Sequence, residues 1–111
     1  MTSVMIVDDE LFIVELYRDI LQLRGYKIVG TAFDGEEAVK RYVSSAEKPD
    51  IIIMDHRMPV MNGVEATKEI IRNNPAQKII FVSADVLIES DARNAVAAEF
   101  LPKPVRMDDL I

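Results

Sequence analysis

The chain has 111 residues, a length that suits one hydrophobic core and is too short for two, so we expect a single domain over 1–111. Half of the residues are apolar and 29% are charged, which is typical of a globular protein rather than a disordered one. A net charge of -6 offers no positive field for a phosphate backbone, so we expect no direct nucleic-acid binding. The absence of cysteine excludes a disulfide scaffold, and no apolar run approaches the roughly 18 residues that span a bilayer. We therefore expect a cytoplasmic domain without a membrane segment.

Short apolar runs recur along the chain and predict buried strands. Each run is too short for a helix and lacks the polar alternation of a half-exposed strand, so a parallel sheet covered on both faces is favoured. The strongest runs are Val4 to Val7, Ile51 to Met54 and Ile79 to Val82, and weaker ones are Lys27 to Ala32 and Glu99 to Leu101.

The first two helices are predicted between these runs. Apolar residues at helical spacing, ending before Gly25, indicate that the first helix buries one face. Asp34 followed by Glu37 is typical of a helix N-terminus, so the second helix should begin near Gly35. The predicted buried face of the first helix consists of Ile13, Leu16, Tyr17, Ile20 and Leu21.

Three further helical segments follow. Asn62 and Glu65 repeat the capping pattern, and Pro75 closes the third helix because proline lacks the amide that a helix interior needs. The alanine-rich segment Val86 to Ala98 predicts a fourth helix, although Ser90 and Asp91 could cap a shorter one. We expect Met107 to Ile111 to form the opening turn of a fifth helix, and we expect that helix to be truncated. Strands alternating with helices predict an α/β domain of three layers.

Polar residues lie within two residues of the ends of four predicted strands. They are Asp8 and Asp9 after the first, Asp55 after the third, Ser83 after the fourth and Lys103 after the fifth. Any one of them could be an ordinary cap or turn residue. Sites in parallel sheets form beyond the carboxyl ends of the strands, so together these residues predict a site at one edge. Clustered carboxylates repel one another, and an all-oxygen donor set suits a hard divalent cation such as Mg²⁺.

Together, the motifs resemble those of the receiver domains of two-component response regulators. The resemblance rests on Val7-Asp8-Asp9-Glu10, on the segment from Asp55 to Gly63, on Ser83-Ala84 and on Phe100 to Pro104. It implies a doubly wound, flavodoxin-like sheet with strand order 2-1-3-4-5 and a phosphoacceptor switch rather than a metabolic enzyme. It also implies that Asp55 accepts a phosphoryl group from a sensor histidine kinase or phosphotransfer protein.

The same resemblance implies individual roles for other residues. Asp8, Asp9, Asp55 and the backbone carbonyl of Arg57 would hold Mg²⁺, with Asp8 acting mainly through water. Lys103 and the Ser83 hydroxyl would contact the phosphoryl oxygens, and Ser83 and Phe100 would form the switch. Arg57 and Asp85 lie two residues beyond Asp55 and Ser83, where we expect them to set the lifetime of the phosphorylated state; a surface salt bridge is the alternative. His56 is expected at the surface, because it points away from Asp55 in an extended segment.

Other classes of protein remain as alternatives. A phosphatase with an aspartate nucleophile at the first strand would have a second acid two residues after that nucleophile. Here the residue two positions after Asp9 is Leu11. A nucleotide-binding flavodoxin relative would need a glycine-rich loop after the first strand. An interaction module that is not phosphorylated would not need the full set of acidic, hydroxyl and lysine residues. The downstream output partner is not indicated, and a homodimer that forms on phosphorylation is left open.

Overall fold

The strands and helices alternate along the chain in the computed structural model, which describes residues 2–83 and 99–102. The predicted fourth and fifth helices, Asp85 and Lys103 lie outside these residues. The described strands are β1 (Ser3–Val7), β2 (Lys27–Ala32), β3 (Ile51–Met54), β4 (Lys78–Ser83) and β5 (Glu99–Pro102). The described helices are α1 (Leu11–Leu23), α2 (Gly35–Ser44) and α3 (Gly63–Asn73). Each predicted strand is confirmed to within one residue at either end.

The five strands form one parallel sheet in the order β2-β1-β3-β4-β5, which confirms the predicted doubly wound α/β fold. Buried side chains form two clusters, one on each face of the sheet. The first cluster joins the sheet to α2 and α3, through residues such as Ala38 and Ile70. The second joins it to α1, through Val14 and Tyr17 among others. The molecule therefore has three layers, with α1 on one face and α2 and α3 on the other.

The register of the strands aligns their carboxyl ends. Val7 of β1 lies opposite Met54 of β3, and Met54 in turn lies opposite Phe81 of β4. All three side chains are buried, because the central strands of a sheet covered on both faces have no solvent side. The residues that follow β1 and β3 consequently emerge side by side at one edge.

The predicted N-terminal caps of α2 and α3 are both present. The Asp34 carboxylate accepts a hydrogen bond of 2.7 Å from the Glu37 amide, and α2 begins at Gly35 as expected. Asn62 and Glu65 form a capping box, in which each side chain accepts from the other residue's backbone amide. These caps fix where each helix starts, and hence where the loops before them end.

The buried face of α1 matches the predicted one in part. Tyr17 and Leu21 are buried as predicted, but Val14 is buried as well and Leu16 is 38% exposed. Apolar residues surround most of this helix, so two overlapping stripes satisfy the helical spacing. The stripe that contains Val14 packs against β1 and β3, and Leu16 is left on the outer side.

At the amino-terminal ends of the strands, opposite the acidic edge, a hydrogen-bonded pair of residues connects β1 to β3. The Asp50 carboxylate accepts hydrogen bonds from the Ser3 amide (2.8 Å) and the Ser3 hydroxyl (3.2 Å), which joins the start of β1 to the start of β3. These bonds favour the charged carboxylate and hold the pKa of Asp50 below its ordinary value of 3.8. Because the pKa is lowered on folding, the pair stabilises the fold above that value and stops doing so as the pH falls through the folded pKa.

We therefore expect Asp50→Asn to lower the free energy of unfolding at pH 7 and to make progressively less difference as the pH is lowered through about 4. Urea titrations at pH 7, 5 and 3 measure this difference against the wild type. Asp19→Asn is the matched control, since Asp19 is an exposed aspartate on α1. A loss in Asp50→Asn that stays constant with pH would contradict the electrostatic explanation.

Candidate functional site

The site lies at the carboxyl edge of β1 and β3. The Asp55 amide donates to the Val7 carbonyl at 2.9 Å and the Asp8 amide donates to the Ala32 carbonyl at 3.1 Å, so both residues continue the ladder one step past the strands. Their side chains are almost inaccessible, with Asp8 2% and Asp55 6% exposed. Two buried acidic residues thus directly follow neighbouring strands at the carboxyl ends of β1 and β3, where the sequence predicts the site.

The loop from β1 to α1 adds two exposed acids, Asp9 and Glu10. Carboxylate oxygens of Asp8, Asp9 and Glu10 all lie within 4.8 Å of one another. Among the described residues this is the one group of three acids that close together, and Asp55 is not a member of it. Glu10 belongs to the first sequence motif, but no role was predicted for it. The available signal was a third consecutive acid at a strand end.

The segment after Asp55 folds back on the strand that carries it. The Gly63 amide donates to the His56 carbonyl at 2.9 Å, at the start of α3. A Cβ atom on Gly63 would lie 2.0 Å from the Asp55 carbonyl oxygen, so only glycine fits there. This close approach also makes His56 half-buried, with its ring 6.2 Å from that of Phe81. The prediction that His56 lies at the surface was therefore wrong.

Two further contacts fix the middle of this loop. The Met61 amide donates to the Pro59 carbonyl at 2.7 Å, which closes a three-residue turn around Val60. Val60 has a φ of 69°, an unfavourable conformation for a β-branched residue, and its side chain is 76% exposed. The Met61 carbonyl accepts a 2.9 Å hydrogen bond from the Gly35 amide of α2. The loop that contains Arg57, whose side chain is exposed, is thereby tied to two helices.

The remaining predicted residues are placed only in part by the structure. Ser83 is the last residue of β4 and lies opposite Pro102 of β5, and Phe100 lies opposite Phe81. Because Met54 is opposite Phe81, Ser83 ends its strand beside the edge at which Asp55 lies. Lys103 comes directly after Pro102 in the sequence, but it is outside the described residues, as is Asp85.

A doubly wound parallel sheet with acidic residues beyond its central strands defines a class of domains that bind ligands at this edge. The family model for the response regulator receiver domain matches residues 4–111, and this chain belongs to that family. It is therefore a phosphoacceptor switch domain of two-component signalling and not a metabolic enzyme. None of the helices in the described part is long and apolar enough to cross a membrane.

Individual relatives agree with this assignment. The chain is 43% identical over 103 residues to the chemotaxis protein CheY of Thermotoga maritima, covering 91% of this chain and 84% of that protein. Its fold matches the CheX-CheY-BeF3-Mg complex from Borrelia burgdorferi with a TM-score of 0.92 and 32% identity, over 98% of this chain and 83% of the other. It also matches the response regulator TrrA of Thermotoga maritima in complex with Mg-BeF, with a TM-score of 0.89 and 37% identity over 99% and 93% of the chains.

Proposed function

We propose that Asp55 accepts the phosphoryl group and that the neighbouring acids hold Mg²⁺. The observation that carries this proposal is the burial of Asp55 directly after β3. Its amide donates to the carbonyl of Val7, the residue before the buried Asp8. A nucleophile needs a fixed position more than it needs exposure of the whole side chain, because orientation alone can contribute several kcal/mol to a transfer reaction. The hydrogen bond from the Asp55 amide to Val7 gives it that position.

The residues present fit a hard divalent cation. Asp8, Asp9, Asp55 and the Arg57 carbonyl offer oxygen atoms alone, which is the donor set that Mg²⁺ prefers. The Borrelia and Thermotoga neighbours are complexes with Mg²⁺ and beryllofluoride, which supports a magnesium site in this chain. When bound, Mg²⁺ would neutralise the negative charge that collects between the acceptor and the incoming phosphoryl oxygens.

The reaction then needs little from the protein beyond position and charge. An Asp55 oxygen attacks phosphorus in line as the bond from phosphorus to the donor nitrogen breaks, and the departing imidazole takes a proton from solvent. The Ser83 hydroxyl donates to a phosphoryl oxygen, and the Lys103 ammonium group supplies a second positive charge. Hydrolysis reverses the modification, because water attacks the same phosphorus and restores the carboxylate. The chain would in this sense promote its own phosphorylation and dephosphorylation, with Arg57 and Asp85 affecting the second rate.

Treatment with acetyl phosphate and Mg²⁺ tests the proposal directly. Intact mass spectrometry should show the addition of one phosphoryl group, and peptide mapping should assign it to Asp55. The Asp55→Asn variant should remain unmodified, whereas Asp50→Asn, which changes an aspartate at the opposite edge, should react like the wild type. An adduct that survives in Asp55→Asn would refute the assignment.

The phosphodonor partner would be a sensor histidine kinase or a phosphotransfer protein. Apolar side chains lie exposed in the segments around the acidic edge: Leu11 is 57%, Phe12 72% and Val60 76% exposed. Exposed apolar residues near a reactive site are typical of a protein-binding surface. The partner would bind there while its phosphohistidine reaches Asp55.

We expect Phe12→Ser to slow phosphotransfer from a phosphohistidine protein by about fivefold or more, since aromatic residues are enriched among the interface residues whose truncation costs over about 1 kcal/mol of binding. The rate with acetyl phosphate should be unchanged, because that donor needs no docking surface. Leu23→Ser is the control, as Leu23 is 86% exposed at the far end of α1. Equal slowing with both donors would show that Phe12 supports the site rather than the partner.

The switch to an output state is proposed to pass from Ser83 to Phe100. Both lie on adjacent strands, β4 and β5, at the end of the sheet next to the site. Amide NMR spectra recorded before and after phosphorylation should change around both residues. If the signals of β5 stay unchanged on phosphorylation, the coupling is absent. A homodimer of the phosphorylated form and a cytoplasmic location stay predictions from the sequence.

A further inference from the structure

Glu10 lies at the acidic edge but has no role in the proposed phosphoryl transfer. Its carboxylate belongs to the group with Asp8 and Asp9, whose oxygens all lie within 4.8 Å of one another. It is exposed, so water or an ion can reach it. Three anions so close together repel one another, and each addition makes the edge more attractive to a cation.

The side chain of Glu10 is not used to cap the helix that follows. Glu10 is the N-cap residue of α1, with extended φ and ψ of -97° and 112°, yet its side chain makes no capping hydrogen bond. Glutamate is also not among the residues that usually cap helices. Its amide donates to an Asp8 carboxylate oxygen at 3.0 Å, which folds the loop so that the Glu10 side chain lies beside both aspartates. The carboxylate is thus placed at the cation site while the helix start goes uncapped.

The coordination preference of Mg²⁺ indicates how Glu10 would act. Mg²⁺ binds few protein oxygens and keeps several of its waters. Asp9, Asp55 and the Arg57 carbonyl are the predicted direct ligands, with Asp8 acting mainly through water, so a further carboxylate is most useful as another acceptor for hydrogen bonds from metal-bound water. Such partners outside the ligand set typically change metal affinity by about 10- to 100-fold. We expect a smaller effect from Glu10, because its exposed carboxylate also forms hydrogen bonds with bulk water.

We propose that Glu10 strengthens Mg²⁺ binding by accepting hydrogen bonds from water on the ion, as a positioning residue and not a direct ligand. This inference rests on the proposed magnesium site at Asp55. It predicts that the affinity of the chain for Mg²⁺ depends on the residue that follows the paired aspartates, independently of phosphorylation.

Calorimetric titration of the unphosphorylated full chain with Mg²⁺ measures this effect. Glu10→Gln should weaken binding by about three- to tenfold at 0.15 M salt. Glu15→Gln is the matched control, because it removes the same charge from the same helix about 7.5 Å further along its axis, roughly one screening length away. Its Kd should stay within about a factor of two of the wild type.

Thermal unfolding gives a second readout that a structural role would not produce. Without Mg²⁺, Glu10→Gln should be at least as stable as the wild type, because the substitution removes repulsion. The rise in Tm on adding Mg²⁺ should be smaller in Glu10→Gln, since stabilisation by a ligand follows its affinity. A lower Tm without the metal and an unchanged rise with it would show a purely structural role and overturn the proposal.

Asp9→Asn separates failure of this inference from failure of the proposed site. If Asp9→Asn loses Mg²⁺ binding and Glu10→Gln binds as the wild type does, only the role of Glu10 is refuted. If both variants bind as the wild type does, the magnesium site itself is wrong. Equal weakening in Glu10→Gln and Glu15→Gln would reduce the effect to net charge and would also refute a specific role.

Discussion

Gly63→Ala is expected to lower the free energy of unfolding by at least about 3 kcal/mol. The added Cβ would lie 2.0 Å from the Asp55 carbonyl oxygen and 2.8 Å from the Phe81 ring. The first of these atoms belongs to the backbone next to β3, so the clash can be relieved only by moving the end of the strand or the start of α3. Since Asp55 is carried by that same segment, phosphoryl acceptance should fall together with stability. Urea titration and the acetyl phosphate reaction measure the two effects.

Two further variants show that the loss comes from the backbone contact. Gly30→Ala places a Cβ 3.8 Å from Met5, an ordinary contact distance, and should change stability by less than about 1 kcal/mol. Phe81→Leu, introduced into Gly63→Ala, removes the aromatic contact but leaves the Asp55 oxygen in place, so it should not restore stability. Recovery in that double variant would show that the Phe81 ring, not the Asp55 backbone, requires glycine.

The strands could be predicted from the sequence because they are buried on both faces. Runs such as Ile51 to Met54 contain no polar residue, and β3 has the same bounds in the structure. The starts of α2 and α3 were equally predictable, since a capping side chain and its partner amide are close in sequence. The strand order could not be obtained from such local patterns and was implied only by the family resemblance.

Features that depend on tertiary packing were predicted less well. The choice between Val14 and Leu16 on the buried face of α1 is made by the sheet against which the helix packs. The half-buried state of His56 follows from the approach of Gly63 to Asp55, which no local pattern indicates. Sequence periodicity describes one helix or strand at a time. The buried face of α1 and the burial of His56 each depend on how two elements pack together.

The candidate site was predictable to the extent that strand ends define it. Asp8 and Asp55 come directly after buried strands, and parallel register brings them together. The side-chain group around Asp9 depends instead on the path of the loop into α1, so the inclusion of Glu10 became evident only in the structure. One consequence is that the charge at this edge is larger than the predicted ligand set alone would give.

That charge determines the expected effect of removing the metal. Chelation of Mg²⁺ should slow phosphorylation of the wild type by acetyl phosphate by at least about a hundredfold, since a bound divalent ion contributes several kcal/mol to charge stabilisation. Asp9→Asn in saturating Mg²⁺ should show a similar loss, because the site then lacks one of its proposed ligands. Asp50→Asn should keep the full dependence on Mg²⁺, as its carboxylate lies at the opposite edge. The rate of adduct formation, followed by intact mass, measures all three.

The sign of the Asp9→Asn effect should depend on the metal. With Mg²⁺ present the variant loses a ligand and slows, but without Mg²⁺ it loses only a negative charge that repels the incoming phosphoryl group. In chelator, Asp9→Asn should therefore react at least as fast as the wild type. A simple folding defect would slow the variant under both conditions. Metal-independent phosphorylation of the wild type, absent in Asp55→Asn, would keep Asp55 as the acceptor and refute the role of Mg²⁺.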